Sequence, residues 1–563
     1  MKKLFAMVAL SLVAINVSAQ NVELSSPESK DQNLEIAKSM EIFFNLFTSV
    51  NMMYVDSTDP DKMITTAIDA MLEELDPYTE YISEQEMADF DFMTTGQYAG
   101  IGSLIRQRGE WVEISEPYAG SPSDLIGLKA GDRLLEIDGE SLKGLGSEKV
   151  SARLKGEPQT SFTLKYRPVK DTTTTVEVEI TRQRITIPSV PYYGMLGDSV
   201  GYIRFTTFTS DGAEEVRGAL ESLMGENDAL SGLVIDLRGN GGGVVSCAVD
   251  IAGLFLPRGT LITTLRGKTR QSNHEYSTKK APVAADLPLV VLIDQSSASA
   301  SEILAGAMQD YDRGVVIGNR SFGKGLVQAP KSVSENAMVK VTIAKYYTPS
   351  GRCIQAIDYT HRNDDGSVKH IPDSLVQEFI TSSGRKVYDG GGINPDIMIE
   401  DSYLSKFGTL LMAFGFLDDF SNLYAAQNEP EEMLEFVVDD RIYSEFVAYM
   451  QDKTIDYTSP AQSTLEELRK FSKFESHYQE ILPLMDSIEA KLADDKNALL
   501  VQHQDEIEEM LATSIITRWY YSRGALEYSL ATKDDKDLQK AIEILIDRPE
   551  YTRILTEQDT SKN

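Results

Sequence analysis

Apolar residues recur at helical spacing towards both ends of the chain. Near the start, "NLEIAKSMEIFFNLFTSVNMMYV" and "DPDKMITTAIDAMLEELDP" have this pattern. Asp59 is placed to cap the second helix, with Pro60 at its first helical position, and Pro77 is expected to end it. From about Asp401 the same spacing fills the chain, which predicts that its last third is almost wholly helical.

The pattern changes to short alternating segments between Gly96 and Thr181. "QYAGIGSLI", "WVEISEPY", "AGDRLLEIDGESL", "TSFTLKYRP" and "TTTVEVEIT" are predicted strands with Gly-rich turns, and "GSEKVSARLKG" is a short helix among them. The segment is therefore predicted to be a compact β-rich module.

From Ser199 the strand-like runs are apolar throughout and alternate with helices. "VGYIRFTTF", "GLVIDLRG", "LPLVVLID" and "GVVIG" are the predicted strands, and "GGGVVSCAVDIAGLFL" and "SASEILAGAMQDY" the predicted helices. Runs of this kind are typical of buried parallel strands joined by helical crossovers. The sequence thus predicts a multidomain α/β protein with an α/β core.

The first residues have the composition of an export signal. Lys2 and Lys3 precede the 12-residue apolar run "LFAMVALSLVAI", and small residues at Val17 and Ala19 predict cleavage before Gln20. The run is shorter than the roughly 20 residues that span a bilayer. We therefore expect an exported, periplasmic chain with no stable membrane insertion, and peripheral attachment to the membrane stays open.

These observations predict five regions along the chain. They are a signal peptide at 1–19, an N-terminal helical region at 20–92, the β-rich module at 93–183, the α/β core at 184–400 and a helical C-terminal domain at 401–563.

Charge and composition exclude several classes of function. The formal net charge of −33 argues against nucleic acid as a partner, because phosphate would be repelled. The five histidines show no metal-ligand spacing, so we predict neither a metal nor a cofactor. Cys247 and Cys353 are expected to be buried free thiols, with a disulfide as the less favoured alternative.

The segment "LPLVVLIDQSSASASEILAGAMQDY" places serines where a strand turns into a helix. A helix N-terminus offers unpaired N–H groups and a positive dipole, both suited to an oxyanion. The same residues also have an ordinary interpretation, because Ser299 and Glu302 match the capping box S-x-x-E. On this stretch alone, capping is the favoured interpretation.

A lysine between two glycines favours a catalytic serine over a helix cap. Lys324 lies in "SFGKGLVQ", where backbone can approach closely, and a buried lysine can serve as general base for a serine. Gln328 follows four residues later, so both side chains would share one face of an extended strand and the amide could orient the amine.

Two Gly-rich turns are further candidates for binding. "DLRGNGGG" lacks both the P-loop and the dinucleotide pattern, and an amide of Gly242 or Gly243 could serve as an oxyanion donor. A plain turn before a helix is the alternative. "YAGIGSLI" could hold a peptide's terminal carboxylate beside a free strand edge, or it could be a simple hairpin turn.

Taken together, these segments resemble the carboxyl-terminal processing (tail-specific) proteases, which are serine peptidases with a Ser-Lys pair and a PDZ domain. The resemblance rests on "LDPYTEYIS", "GIGSLI", "AGDRLLEIDG", "GYIRFTTF", "DLRGNGGG", "SSASASEILAGAMQDYDRGVVIGNRSFGKGLVQ", "YYTPSGRCIQ" and "GGGINPDI", spread over residues 33–400 in family order. It implies a crotonase-like α/β peptidase core with an inserted PDZ domain.

The resemblance assigns roles to particular residues. It makes Ser299 the nucleophile, Lys324 the base, Gln328 the residue that orients the lysine, and Asp310 a supporting residue. Backbone N–H groups of Ala300 and Gly242 would be the oxyanion donors. The segment that would bind the substrate's tail is Tyr98, Ala99, Gly100, Ile101, Gly102, Ser103 and Leu104.

The chain also departs from the family's pattern. Gly241 stands where the family usually has proline, and Cys353 replaces the usual serine or arginine. The helical tail beyond residue 400 is the part least covered by the resemblance.

The expected activity is an exported endopeptidase that captures apolar C-terminal tails of proteins and cleaves through an acyl-enzyme. A non-catalytic scaffold and a crotonase-type acyl-CoA enzyme are the alternatives. The substrates, an adaptor protein in the cell envelope, a homo-oligomer and a closed resting state are left open.

Overall fold

The computed structural model describes residues 28–84, 86–226, 229–359, 367–370, 372–400, 404–455, 457–492 and 496–557. The predicted signal peptide and its cleavage site before Gln20 lie outside these residues. Across the described ranges, no helix is both long and apolar enough to cross a bilayer. The chain divides into two compact units, residues 1–77 and residues 78–563.

Two helices make up the described part of the first unit, α1 (Glu28–Met53) and α2 (Pro60–Glu73). The Asp59 carboxylate accepts a hydrogen bond from the Lys62 amide at 3.2 Å, and Pro60 occupies the first turn. The predicted cap is therefore confirmed, although the helix ends at Glu73 rather than continuing to Pro77.

The β-rich module follows a short strand and a helix in the second unit. In chain order these elements are β1 (Glu80–Ile82), α3 (Met87–Thr95), β2 (Gln97–Gly100), β3 (Ser103–Arg108), β4 (Trp111–Pro117), α4 (Pro122–Leu125), β5 (Arg133–Ile137), β6 (Glu140–Ser141), α5 (Ser147–Leu154), β7 (Ser161–Arg167), β8 (Val176–Thr181) and β9 (Gln183–Thr186). Antiparallel strands form a sheet in the order β3-β4-β5-β7-β8, with β6 paired to β5, and β2 pairs separately with β9. The predicted strands and short helix are confirmed.

The α/β core contains the next elements of the second unit. They are β10 (Tyr192–Leu196), β11 (Val200–Arg204), α6 (Gly212–Glu226), β12 (Gly232–Asp236), α7 (Val245–Ala252), β13 (Leu261–Gly267), β14 (His274–Ser277), β15 (Leu289–Ile293), α8 (Ala300–Asp310), β16 (Val315–Gly318), β17 (Leu326–Ser334), β18 (Ala337–Tyr347), β19 (Ile357–Asp358), β20 (Lys369–His370), β21 (Glu378–Ile380), β22 (Lys386–Tyr388) and β23 (Ile397–Met398).

Two sheets organise this core. The central sheet has the order β10-β11-β12-β15-β16-β23, and all pairs from β11 onward are parallel, as the apolar runs predicted. The second sheet has the order β1-β18-β13-β14, with β17 paired to β18. Strand β1 therefore belongs to a core sheet, whereas the sequence analysis placed it in the N-terminal helical region.

Helices make up most of the described residues between 404 and 557, as predicted. They are α9 (Lys406–Ala413), α10 (Phe416–Gln427), α11 (Asp440–Tyr449), α12 (Pro460–Ser472), α13 (Tyr478–Leu492), α14 (Lys496–Gln502), α15 (Gln504–Thr532), α16 (Lys536–Ile546) and α17 (Arg548–Thr556). Within α15 the backbone of Tyr521 is non-helical, with φ 61° and ψ 178°, so two helical segments meet there at a kink.

The central sheet is buried on both faces. Alternate residues of its strands, such as Val291 and Ile293, pack against the core helices α6, α7 and α8. Val290 and Leu292 pack on the opposite face against α16 and α17, including Leu545. The last two helices of the chain therefore complete the core, and double burial explains why these strands are apolar throughout.

Both cysteines are free thiols in the structure. Cys247 is buried, and burial raises its pKa to about 12. Cys353 is only half-buried, which differs from the expectation that both thiols would be buried.

Candidate active site

The serine cluster forms the elbow between β15 and α8. The backbone N–H groups of Ser296 and Ser297 donate to Asp294 Oδ1 at 2.9 and 3.0 Å. The Ser297 hydroxyl donates to the Leu237 carbonyl at 2.9 Å, which ties the elbow to the end of strand β12. Ser296 and Ser297 are thus turn residues.

Ser299 occupies the N-cap position of α8 in an uncommon backbone conformation. Its φ of 57° and ψ of −112° lie in a region that costs a residue with a side chain roughly 1–3 kcal/mol. The Ser299 carbonyl accepts hydrogen bonds from the amides of Glu302 and Ile303 and, at 3.1 Å, from the Tyr346 hydroxyl. The hydroxyl of Ser299 faces the Glu302 amide but makes no cap hydrogen bond, because that amide donates to the carbonyl at 2.9 Å.

The Glu302 carboxylate connects the serine elbow to the lysine loop. It is fully buried, and its Oε2 accepts from the amides of both Ser299 (2.8 Å) and Lys324 (2.9 Å). Its Oε1 accepts from Ser321 Oγ (2.6 Å) and the Gly323 amide (2.7 Å). Burial raises the pKa of Glu302 to about 7, although these four donors favour the charged form. The capping-box prediction was right about Glu302, whose carboxylate accepts from the Ser299 amide, but it did not include the bonds from the same carboxylate to the lysine loop.

The turn "DLRGNGGG" lies directly against Ser299. Gly242 has φ +99°, and a Cβ built on it would come within 2.8 Å of the Ser299 Cβ and 2.9 Å of the Ala300 amide nitrogen. The Asn240 carbonyl accepts from the Ser301 hydroxyl at 2.8 Å, which joins the turn to α8. The predicted oxyanion donors are therefore neighbours, but the Gly242 amide donates to Asn240 Oδ1 at 2.9 Å in this structure.

Lys324 lies in the loop between β16 and β17. Its Nζ is 4.2 Å from the centre of the Tyr78 ring, a cation–π distance, and the side chain is partly exposed. Gly325 is packed so closely on Gln355 that a Cβ would lie 2.8 Å from the Gln355 amide nitrogen. The glycines that flank the lysine thus serve close backbone packing, as expected.

Gln328 lies in β17, and its Nε2 donates to Thr342 Oγ1 at 3.1 Å. Strand β17 begins at Leu326, so Lys324 precedes the strand. The prediction that a shared strand carries both side chains on one face was therefore wrong, because the flanking glycines keep the lysine in an irregular loop.

Asp310 ends α8 and forms a fully buried ion pair with Arg352 at 2.8 Å. Its other oxygen accepts from the Ser350 amide at 2.9 Å. It anchors the "SGR" segment to the helix that carries the serine.

The predicted tail-binding loop borders an open cavity of about 290 Å³ between β3 and α5. Five of its seven residues line this cavity, namely Tyr98, Gly100, Ile101, Ser103 and Leu104. Ala99 and Gly102 are not among the lining residues; the Gly102 carbonyl accepts from Ser121 and Ser123 hydroxyls at 2.8 and 2.7 Å. A simple hairpin turn is wrong here, because β2 pairs with β9 and β3 pairs with β4.

The sequence reasoning missed three residues beside this site. They are Tyr78, Asn240 and Tyr346. Asn240 had a signal, since it lies inside the Gly-rich motif, and Tyr78 lies in "LDPYTEY". Tyr346 lies in "YYTPSGRCIQ", but no role was predicted for it, because a fully buried tyrosine in a strand has the pattern of an ordinary core residue.

The Gly-rich turn is also connected to the end of the chain. Arg238 pairs with the buried Asp236 at 2.7 Å and with Asp535 and Asp537, at the start of α16, at 2.8 and 3.1 Å. Burial alone would raise the pKa of Asp236, but Arg238 and Arg204 more than offset this, so the pKa lies below its usual value. The turn beside Ser299 is thus held by an ionic network.

Three family models match separate parts of the chain. Peptidase family S41 matches residues 199–362, a PDZ domain matches residues 113–168, and the C-terminal helical domain of a probable PDZ-protease matches residues 408–545. The chain therefore contains a PDZ domain, an S41 peptidase domain and a helical C-terminal domain.

Similar proteins agree with these matches. A carboxyl-terminal-processing protease of Synechocystis sp. is 39% identical over 323 residues, which cover 56% of this chain and 72% of the relative. A carboxy-terminal-processing protease of Bartonella bacilliformis is 31% identical over 351 residues, covering 62% of this chain and 80% of the relative.

Among solved structures, a photosystem II D1 C-terminal processing protease is 26% identical with a TM-score of 0.33, covering 64% of this chain and 92% of that chain. A score this low carries no argument about fold, so the assignment rests on the sequence relatives. The chain belongs to the carboxyl-terminal-processing proteases of peptidase family S41, which are serine-type endopeptidases.

Proposed function

We propose that this protein is exported and cleaves proteins whose apolar C-terminal tails it captures in its PDZ domain, with Ser299 as nucleophile and Lys324 as base. The observation that carries the catalytic assignment is the Glu302 carboxylate, because one of its oxygens accepts from the amides of both residues. The proposal of export rests on the sequence of residues 1–19.

Tail capture would use the free edge of the PDZ sheet. Strand β3 is at the end of the sheet order, so an extended peptide can add beside it as another strand. The cavity between β3 and α5 is lined by Ile101, Leu104 and Leu154, which suits an apolar terminal side chain. The amides around Gly102 are the candidate donors to the terminal carboxylate.

Activation of the serine requires a neutral amine. Lys324 would take the Ser299 hydroxyl proton while the oxygen attacks the peptide carbonyl, and would later return it to the leaving amine. The Tyr78 ring favours the charged ammonium, so this contact opposes formation of the neutral amine. Because Gln328 Nε2 is engaged by Thr342, its Oε1 is the atom that would accept from the amine.

The oxyanion would be stabilised where the Gly-rich turn meets α8. Ala300 is the first residue of the helix, so its N–H has no acceptor within the helix. The Gly242 amide would have to exchange Asn240 Oδ1 for the oxyanion. Water then hydrolyses the acyl-enzyme and regenerates the serine.

The core is proposed to be crotonase-like because the resemblance to the tail-specific proteases implies such a core, and its parallel strands with helical crossovers agree with that. The alternative function with such a core is that of a crotonase-type enzyme that acts on acyl-CoA instead of cleaving peptides. Hydrolysis of acyl-CoA thioesters without any peptide cleavage by the wild-type protein would favour that alternative.

The catalytic assignment is tested by cleavage of a protein with an apolar C-terminal tail. Ser299→Ala and Lys324→Ala should each abolish turnover, whereas Ser296→Ala in the same elbow and Lys331→Ala on the exposed part of β17 should retain it. Turnover that survives either of the first two changes rejects the mechanism. Tail binding by a wild-type protein that never cleaves would indicate a scaffold instead.

A further inference from the structure

A row of charged residues crosses the outer face of the PDZ sheet. Arg106 on β3 is directly opposite Glu113 on β4, Glu113 is opposite Arg133 on β5, and Arg133 is opposite Arg167 on β7. The last pair brings two positive charges together in directly opposed positions, an arrangement that destabilises a sheet when nothing neutralises it.

Most of these charges have a partner of opposite sign. Glu113 accepts from Arg133 at 2.8 Å, and Arg106 pairs with Asp418 and Asp419 on α10 of the helical domain. Arg167 differs. Within the described residues no carboxylate pairs with it, and its Nε is buried without a hydrogen-bond partner.

Arg167 lines a cavity of about 260 Å³ between the PDZ domain and α10, which we call the seam cavity. Arg108 and Arg133 line it as well, with Asn422 on the opposite wall. The two carboxylates in its lining are each already paired with an arginine, so the lining keeps a positive charge.

The chemistry of the lining selects the class of ligand. A guanidinium presents a planar fork of N–H donors that matches the oxygens of a carboxylate or a phosphate. We propose that the seam cavity binds a small oxyanion, a phosphate or carboxylate group, between Arg167 and Arg133. Because its walls belong to the PDZ domain and to α10, the bound anion strengthens the contact between these two domains.

The test is a calorimetric titration of the full-length protein with inorganic phosphate at constant ionic strength, repeated with succinate to separate phosphate from carboxylate as the ligand. We expect saturable binding of at least one of them at one site per chain. Arg167→Gln should weaken binding about tenfold or more, the loss expected for a hydrogen bond to a charged group. Lys149→Gln, an exposed change on α5 of the same domain, should leave it unchanged.

Thermal unfolding provides a second measurement. The bound anion should raise the unfolding temperature of the wild type but not of Arg167→Gln. Without any oxyanion, Arg167→Gln should unfold at a temperature equal to or above that of the wild type, because the change relieves the like-charged pair.

Three results would overturn the proposal: no saturable binding of either anion, wild-type affinity in Arg167→Gln, or equal weakening by Lys149→Gln. None of these measurements involves cleavage, so their outcome does not depend on the proposed peptidase mechanism.

Discussion

Gly242→Ala is the change that most directly tests how the Gly-rich turn supports the reaction. The new Cβ would lie 2.6 Å from the Ala298 carbonyl oxygen and 2.8 Å from the Ser299 Cβ, where ordinary contacts begin near 3.4 Å. The φ of +99° is also a conformation that alanine rarely adopts. The turn and the serine elbow must therefore move apart.

Gly242→Ala has two energetic costs, backbone strain and steric overlap. Backbone strain at such a φ costs roughly 1–3 kcal/mol, and overpacking in a tight site costs roughly 1–3 kcal/mol more. Moving the turn displaces the proposed oxyanion donor Gly242, and the loss of such a donor lowers kcat by about a hundredfold to a thousandfold. KM for a tailed substrate should change little, since the proposed site for the tail is in the PDZ domain, away from this turn.

The neighbouring glycine provides a matched control. A Cβ at Gly241 meets no atom within 4 Å, so Gly241→Ala should retain kcat within about twofold. Steady-state cleavage of a tailed protein gives kcat and KM, and binding of the tail peptide alone shows that each variant is folded. Wild-type kcat in Gly242→Ala, or an equal loss in both variants, would show that close packing of Gly242 on the serine elbow is not required for the reaction.

Three further outcomes are expected. Burial holds the pKa of Glu302 at about 7, so the carboxylate that accepts from the serine and lysine loops becomes protonated, and kcat falls, as the pH drops through 7. Glu302→Gln should lower kcat and remove this acid limb from the pH–rate profile, and an unchanged limb would contradict the prediction. In Tyr78→Leu, the rise of kcat with pH should occur about half a pH unit lower, because the Lys324 ammonium loses a cation–π contact of roughly 0.5–1 kcal/mol. Tyr78→Phe keeps an aromatic ring and should leave the pH of this rise unchanged. Tyr551→Phe should lower the free energy of unfolding in urea by about 1–3 kcal/mol, because the buried Leu289 amide of β15 loses its acceptor. Tyr193→Phe, at an exposed position, is the control, and equal free energies of unfolding for the two variants would reject the role of α17 in the core.

Local patterns were sufficient for the PDZ strands, the parallel strands of the central sheet and most helices, but not for the strands of the second core sheet. Apolar residues throughout "LPLVVLID" predicted a buried parallel strand, and the alternation from Gly96 predicted the PDZ strands, because periodicity reflects which faces of an element are buried. Asp59 and Pro60 likewise predicted the start of a helix from chemistry within four residues.

The same local signals could not specify partners that are distant in the chain. Residues 80–82 are a strand only because they pair with β18, and α16 and α17 are part of the core only because they cover the face of the central sheet that carries Val290. An amphipathic pattern shows that a helix has an apolar side, but not which surface covers that side.

For the candidate site, local sequence patterns were enough to propose which residues carry the chemistry, namely a serine at a strand-to-helix elbow and a lysine between glycines. Tertiary structure decided their arrangement. The S-x-x-E spacing accounts for the Glu302 bond to the Ser299 amide, because that contact spans three residues. The bonds from the same carboxylate to the loop around Lys324 span about twenty residues, and their geometry exists only once β15 and β16 lie side by side in the sheet.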